Sequence, residues 1–333
     1  MTQVVDVLGL GNSLVDLIAQ TDDAYLSAQE MVKGAMTLID EERAEALYAA
    51  RIEPRIVSGG SAANTIVGVA SFGVSSAYIG KVRNDVLGAG FAEDLRATGV
   101  TFNTAAASDG PATGRCFVYV TPDGERTLNT YLGASSYLSP SDVDEALVRA
   151  ARFVYLEGYM WDRPAAKSAF QKAAEIAHGA GHRVALTLSD SFCVDRFRGE
   201  FIDLMRRGLV DTLFSNTEEI LSLYQTPDLS EALDAVRREG VLAIVTRSEK
   251  GSIIVDGSAA TYEAPAYPVA RVIDTTGAGD LFASGFLAGL AQGAGLETCG
   301  RLGALAAAEI IQHLGARPLV SLAALARESI AAA

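Results

Sequence analysis

The 333-residue sequence predicts an α/β fold, a mostly parallel central sheet with helices on both faces and a small β appendage. Three observations lead there. Short β-branched runs alternate with helical patterns along most of the chain, as βαβ units require. Each run ends in small or polar residues, the composition of a strand tip handing over to a helix. Hydrophobic residues make up 49% of the chain, enough to bury a large core in one domain with its appendage over residues 1–333.

The elements follow in order. VVDVLGLG (4–11) is a strand ending in glycines, and LVDLIA continues as an apolar run broken by Asp16. SAANTIVGVASFG (61–73) is helical, SSAYIGKV (75–82) a strand, residues 85–99 a helix and 100–106 a strand. RFVYLEGY, RVALTLSD, DTLFSNTEE and VLAIVTRS are further strands, each followed by a helix-like segment. In such sheets ligands sit beyond the carboxyl ends of the strands, so these tips are the candidate site. Residues 34–60 and 110–134 break the rhythm, and the second reads as a hairpin, RCFVYV and RTLNTYL about a turn at TPDG. A β lid built from about 17–21, 34–58 and 110–134 is the expectation. The apolar stretch 281–300 is Gly-rich and meets Glu297, so it reads as a buried core helix and not a membrane span.

Charge and cysteines narrow the function. The net charge of −14 argues against a nucleic-acid backbone or anionic membrane as partner, while loop amides can still neutralise a bound phosphate. Cys116, Cys193 and Cys299 lie far apart without a CxxC pair, which points to neither zinc nor a disulfide framework and suits a reduced cytoplasm. The first residues lack a basic region and a cleavage site, so no signal peptide is expected. His178, His182 and His313 show no metal-ligand spacing.

DTTGAGD (274–280) carries the sharpest chemical signal. Gly277, Ala278 and Gly279 leave backbone amides bare at a helix entrance, where the helix dipole adds positive potential, and so form an anion hole. Asp280 starts the helix, where the dipole favours its ionised form. It is either a cap or a base accepting a proton from a hydroxyl that attacks a phosphoryl group. In GLGNSLVD, Leu14 stands where a dinucleotide fingerprint needs its third glycine. Asp16 is an exposed strand position or a carboxylate for vicinal hydroxyls. Gly59, Gly60 and Asn64 read as a turn with a capped helix or as a substrate rim in which the Asn64 amide both donates and accepts. Asn216 and Glu219, at i and i+3, form a capping box or hold magnesium through water near phosphates. Thr246, Ser248 and Gly251 at a strand end suit a nucleotide or an ordinary turn. Arg126 in the hairpin is a surface arginine or the cation that swings onto a transferring phosphoryl group.

Together GGSAAN, NTEE and DTTGAGD resemble the ribokinase-like (PfkB) carbohydrate and nucleoside kinases, with similarity from VLGLGNSLVD to AAAEIIQHLGARP. The resemblance implies a ribokinase-like three-layer α/β/α fold and an ATP- and Mg2+-dependent kinase acting on a primary alcohol. It implies Asp280 as base, Gly277, Ala278 and Gly279 as anion hole, and Asp16, Gly60 and Asn64 on substrate hydroxyls. It further implies Asn216 and Glu219 at magnesium and phosphate, and Thr246, Ser248 and Gly251 near ATP. Asp274 and Thr276 match positions that bind a monovalent cation, such as K+, in some members. Within the family, GLGNSLVD with Asn12, LTLSDSF, FSNTEE and DGERTLN resemble the adenosine kinases, which implies the 5′-hydroxyl of adenosine as acceptor. LEGYMW puts Tyr159, Met160 and Trp161 after a strand, where an aromatic either stacks on a purine or fills the core. The polar segment TLNTYLGAS keeps a sugar open: ribose, fructose or 2-keto-3-deoxygluconate. The expected partners are the small-molecule substrate and ATP, in a monomer or a homodimer.

Overall fold

The computed structural model describes residues 5–50, 54–258 and 260–331. Its strands are Val5–Leu10 (β1), Leu14–Gln20 (β2), Met36–Leu38 (β3), Arg55–Gly59 (β4), Ser76–Ile79 (β5), Thr101–Phe102 (β6), Gly114–Val120 (β7), Arg126–Tyr131 (β8), Ala151–Glu157 (β9), Arg183–Thr187 (β10), Thr212–Asn216 (β11), Leu242–Thr246 (β12), Ser252–Val255 (β13) and Thr261–Ala264 (β14). A nine-stranded sheet runs β14-β13-β12-β11-β10-β9-β1-β5-β6, parallel except for the antiparallel β12-β13-β14 edge. A five-stranded sheet runs β3-β8-β7-β2-β4.

The period of two along a strand explains the layers. On β9, Phe153 and Tyr155 join the core on one face, with helices Ser61–Ser71 and Ala278–Ala291. Val154 and Leu156 join the other, under helices Pro164–Gly179 and Ser191–Arg206. Both faces of the large sheet are thus covered, so its strands read as nearly continuous apolar runs. β1 pairs β5 on one side and β9 on the other, and the chain leaves it for both flanks. Such a switch point opens a crevice at the carboxyl ends of the two strands.

The expected core helix at 281–300 is two helices, Ala278–Ala291 and Leu296–Ile310, because Gly293 takes φ +77° and ends the first. Among the described residues no helix is long and apolar enough to cross a membrane. Helices Ser61–Ser71 and Ala278–Ala291 lie unusually close. A Cβ on Gly68 would sit 2.3 Å from Ser284 Oγ, so only glycine admits this crossing.

The small sheet contains the expected hairpin, β7 against β8, with β2 parallel to β7. It begins at Leu14, earlier than the sequence suggested, and therefore carries Asp16. The stretch 34–58 is not all strand: helix Glu41–Ala49 separates β3 from β4 and covers the rear of the sheet with Ala44 and Leu47. Register then sorts the side chains. Asp16, Cys116 and Thr130 lie abreast on one face, followed by Ile18, Val118 and Leu128. Thr127 and Asn129 pair with Tyr119 and Phe117 on the other. The polarity of TLNTYL therefore faces mostly away from the cleft, which the small sheet walls with Ile18, Val118, Val120 and Leu128.

Candidate active site

Four segments converge at the switch point. Helix Ala278–Ala291 enters through Gly277, whose φ of +78° turns the chain at closest approach to Ala316. The Asp280 carboxylate, in the first turn, accepts from Ser61 Oγ at 2.6 Å and from Asn64 Nδ2 at 3.0 Å. Both donors lie in the first turn of helix Ser61–Ser71, so the Gly68 crossing sets these distances. Asn64 Oδ1 is buried and has no protein partner.

The sequence suggested that the dipole keeps Asp280 ionised. In the structure burial outweighs that: it raises the carboxyl above its ordinary value, while Ser61, Asn64 and the Arg317 guanidinium pull against it. A carboxyl so poised accepts a proton more readily than a solvated one. Asp16 is pushed up to about 6, chiefly by burial, with Arg317 and Arg126 opposing and Asp280 adding repulsion. A Cβ on Gly59 would meet its carboxylate at 2.5 Å, and one on Gly60 would meet Asn12 O at 2.0 Å. The two glycines thus make room for Asp16 and for the β1–β2 connection.

The anion hole differs in one member from expectation. Ala278 N donates to Thr275 O at 3.1 Å, closing a turn. Among the described residues the amides of Gly277, Gly279 and Asp280 have no main-chain acceptor, and they are the open donors at this helix entrance. Beside them lies a cleft of about 620 Å³ lined by Thr246, Ser248, Gly251, Tyr267, Gly279 and Phe282, with Ala304, Ala308 and Ile311 completing an apolar wall. Thr246, Ser248 and Gly251 are therefore gathered at the mouth of the same helix. Gly251 is glycine for a local reason, since a Cβ would lie 2.1 Å from Ala264 O.

Other candidates are engaged with protein. Asn216 and Glu219 form the capping box: Asn216 Nδ2 donates to Glu219 Oε1 at 2.7 Å, Asn216 N to Oε2 at 3.0 Å, and Glu219 N to Asn216 Oδ1 at 2.9 Å. Glu219 is buried, its carboxyl raised to about 7 by that burial. Direct metal ligation by this carboxylate does not fit, and among the described residues no cluster of three His, Cys, Asp or Glu could hold a metal ion. Arg126 Nη1 reaches Asp274 Oδ2 at 2.5 Å and also bonds Thr276 Oγ1. The hairpin cation thus occupies the two groups read as a monovalent-cation position. Burial raises the Asp274 carboxyl most as a single effect, but the Gly315 and Thr276 amides and Arg126 together hold it below its ordinary value.

Of the three residues in YMW, Met160 and Trp161 are core, Trp161 packing on Phe170 and Phe201 and donating to Glu200 Oε2 at 3.0 Å. Tyr159 stays at the rim of a cleft of about 270 Å³ lined also by Asn12, Leu132 and Ser136. Its hydroxyl donates to Ser189 O at 3.2 Å. Phe192, at the start of the next helix, is 62% exposed, with Arg196 4.5 Å above its ring. Asn12 is buried and fully bonded, Nδ2 to Glu157 Oε1 at 2.7 Å and Oδ1 from Ser135 Oγ at 2.9 Å.

Sequence reasoning missed two charged residues. Glu157 ends β9 on the same face as Phe153 and Tyr155, which puts it beneath helix Ser61–Ser71. Its Oε2 accepts from Ala62 N at 2.9 Å and Asn12 N at 3.3 Å, and burial raises it to about 7. An acid closing an apolar strand at i+2 spacing was the signal available. Arg317 follows a helix in the GARP segment that closes the family resemblance, where nothing in the residues signalled a role for its charge.

The chain belongs to the pfkB family of carbohydrate kinases, whose family model matches residues 36–322. The chain is therefore a kinase of this family. Adenosine kinase from Sinorhizobium meliloti is 50% identical with a TM-score of 0.91, over 98% of this chain and 100% of that one. A probable sugar kinase protein from Rhizobium etli CFN 42 is also 50% identical at a TM-score of 0.91, over 99% of each chain. Adenosine kinase from Saccharomyces cerevisiae is 27% identical over 325 residues, 92% of this chain and 94% of that protein.

Proposed function

We propose that this kinase transfers the γ-phosphoryl group of ATP to the 5′-hydroxyl of adenosine. The observation that carries the chemistry is Asp280, held by Ser61 and Asn64, raised by burial, and set one turn from open amides beside the larger cleft. In this reading Asp280 takes the hydroxyl proton as the substrate oxygen attacks phosphorus. The Gly277, Gly279 and Asp280 amides meet charge on the phosphoryl oxygens, and ADP departs with its oxygen negative. Asn64 Oδ1, which has no hydrogen-bond partner among the described residues, and the Asp16 carboxylate, buried at the crevice, accept from substrate hydroxyls.

The apolar cleft behind Gly279 takes the nucleotide, with Thr246 and Ser248 at its rim. Magnesium, when bound, neutralises phosphate oxygens. Glu219 would bond the water shell of such an ion at most, because both its oxygens already accept from Asn216. Arg126 leaves Asp274 and Thr276 when the small sheet closes as a lid, and crosses to the phosphoryl group. Only that departure frees Asp274 and Thr276 for a monovalent cation.

Adenosine is favoured over a sugar by Tyr159, an aromatic at the rim of the cleft beside Asn12, and by the apolar wall of the small sheet. The likeness to a probable sugar kinase keeps the second reading in the test. The experiment is ADP release with adenosine, other nucleosides, ribose, fructose and 2-keto-3-deoxygluconate. Adenosine is expected to give the highest kcat/KM by at least about tenfold; a sugar ahead of every nucleoside overturns the substrate reading.

A further inference from the structure

We propose that Arg317 is a positioning residue for the phosphoryl transfer: it clamps the two chain segments that meet at Gly59 and Gly60, and sets its positive charge behind Asp16 and Asp280. The inference rests on the reading of Asp280 as base. It concerns a residue on the loop after helix Leu296–Ile310, far in sequence from the groups it serves.

The geometry is specific. Arg317 Nε donates to Ser58 O at 3.1 Å, and Nη2 donates to the same oxygen at 2.9 Å and to Ser58 Oγ at 3.0 Å. Nη1 donates to Ala63 O at 2.9 Å. Ser58 lies near the end of β4, immediately before the glycine pair, and Ala63 lies in the first turn of the helix after it. Between them stands Gly60 at φ +100°, and within two residues of Ala63 lie Ser61 and Asn64, the two donors to Asp280. One planar fork therefore ties the end of β4 to the helix turn that grips the base. A lysine ammonium carries the charge but cannot span these acceptors in one plane.

Arg317 does not itself reach substrate. The space between it, Asp16, Ser58 and Asn64 is about 20 Å³, room for about one water molecule. What it contributes there is charge. Among the described residues the groups facing Asp280 are Ser61 and Asn64 from the helix, Asp16 from β2, Tyr155 and Glu157 from β9, Tyr159 just after it, and Arg317 from its loop. Arg126 on β8 acts on Asp16 but is bonded to Asp274. Asp94, bonded to Ser58 N at 2.9 Å, is the acid on the far side of the guanidinium. Arg317 is thus a cation set against the buried acids Asp16 and Asp280; burial pushes its guanidinium below the ordinary value, and Asp94, Asp16, Tyr78 and Asp280 pull against that without cancelling it.

Charge and clamp separate in two variants assayed as full-length enzyme, with kcat followed from pH 5 to 9. Arg317→Met removes both, and its acid limb is expected to rise by about one pH unit, so that kcat at pH values below both limbs falls about tenfold further than at the plateau. Arg317→Lys keeps the charge, and its acid limb is expected within about 0.3 unit of wild type while the plateau drops severalfold. A residue with a purely structural role lowers both variants equally at every pH. That outcome, or an unmoved acid limb in Arg317→Met, overturns the proposal. If Arg317→Met does not fold, Asp94→Asn provides the measurement: it leaves the guanidinium less opposed and is expected to lower the acid limb by a few tenths of a unit, and no movement overturns the proposal. Asp280→Asn run alongside distinguishes the two claims, since an active Asp280→Asn sinks the base reading whatever Arg317 does.

Discussion

Replacing Asp280 by Asn tests the chemistry with little change in shape. The carboxylate accepts from Ser61 Oγ at 2.6 Å and Asn64 Nδ2 at 3.0 Å. An amide keeps one acceptor for Ser61, and the Asn64 amide can turn to offer Oδ1 to the new NH2, so the helix contact survives. What disappears is a proton acceptor. General-base catalysis contributes about 10²–10⁴-fold, and a carboxyl raised by burial belongs at the upper end of that range. A kcat loss of about 10³–10⁴ is expected, about 4–5.5 kcal/mol of transition-state stabilisation. In the proposed reading ATP binds mainly in the neighbouring cleft, so its Kd by calorimetry is expected to change less than about threefold. The assay is steady-state ADP release with adenosine at saturating ATP. A kcat within tenfold of wild type refutes Asp280 as the base, and a comparable loss of ATP affinity refutes the separation of the two subsites.

Three further outcomes follow from the packing. Gly68→Val places a side chain against Ser284 and is expected to cost about 1–3 kcal/mol by overpacking and to lower kcat by shifting Ser61 and Asn64; thermal melts and kcat check it, and the double variant with Ser284→Gly recovers part of both. Glu157, raised from 4.5 to about 7, binds a proton more tightly folded than unfolded, so its contribution to stability is greatest below about pH 4.5 and is lost as pH rises through about 7. That amounts to about 3 kcal/mol, and Glu157→Gln, though less stable overall because its amide faces the Ala62 and Asn12 donors, is expected to flatten the pH dependence of Tm between pH 5 and 8. Tyr159→Ala is expected to raise the KM for adenosine about tenfold, the scale of one base–aromatic stack, with the KM for ATP unchanged within twofold.

Much of the architecture was legible because it is local. The strand tips, the hairpin at TPDG and the helix after DTTGAGD depend on residues within a few positions of one another, and the period-two and helical patterns survive in a single sequence. The capping box at Asn216 and Glu219 was legible too, as the plainer of the two readings offered for it. The division of the stretch 281–300 into two helices was not, since a glycine in an apolar run marks a turn only when packing demands a positive φ.

The sequence by itself determined an α/β kinase with an acid behind bare amides, because those features are written in adjacent residues. Tertiary structure alone decided the rest. Register turned Thr127 and Asn129 away from the cleft and left an apolar wall. The close helix crossing at Gly68 brought Ser61 and Asn64 to Asp280, across more than two hundred residues of chain. Burial reversed the expected direction for that carboxyl, and folding delivered Glu157 and Arg317 to its neighbourhood. A carboxyl's proton affinity depends on how much water remains around it and which charges face it, and both are properties of three-dimensional packing rather than of neighbouring letters.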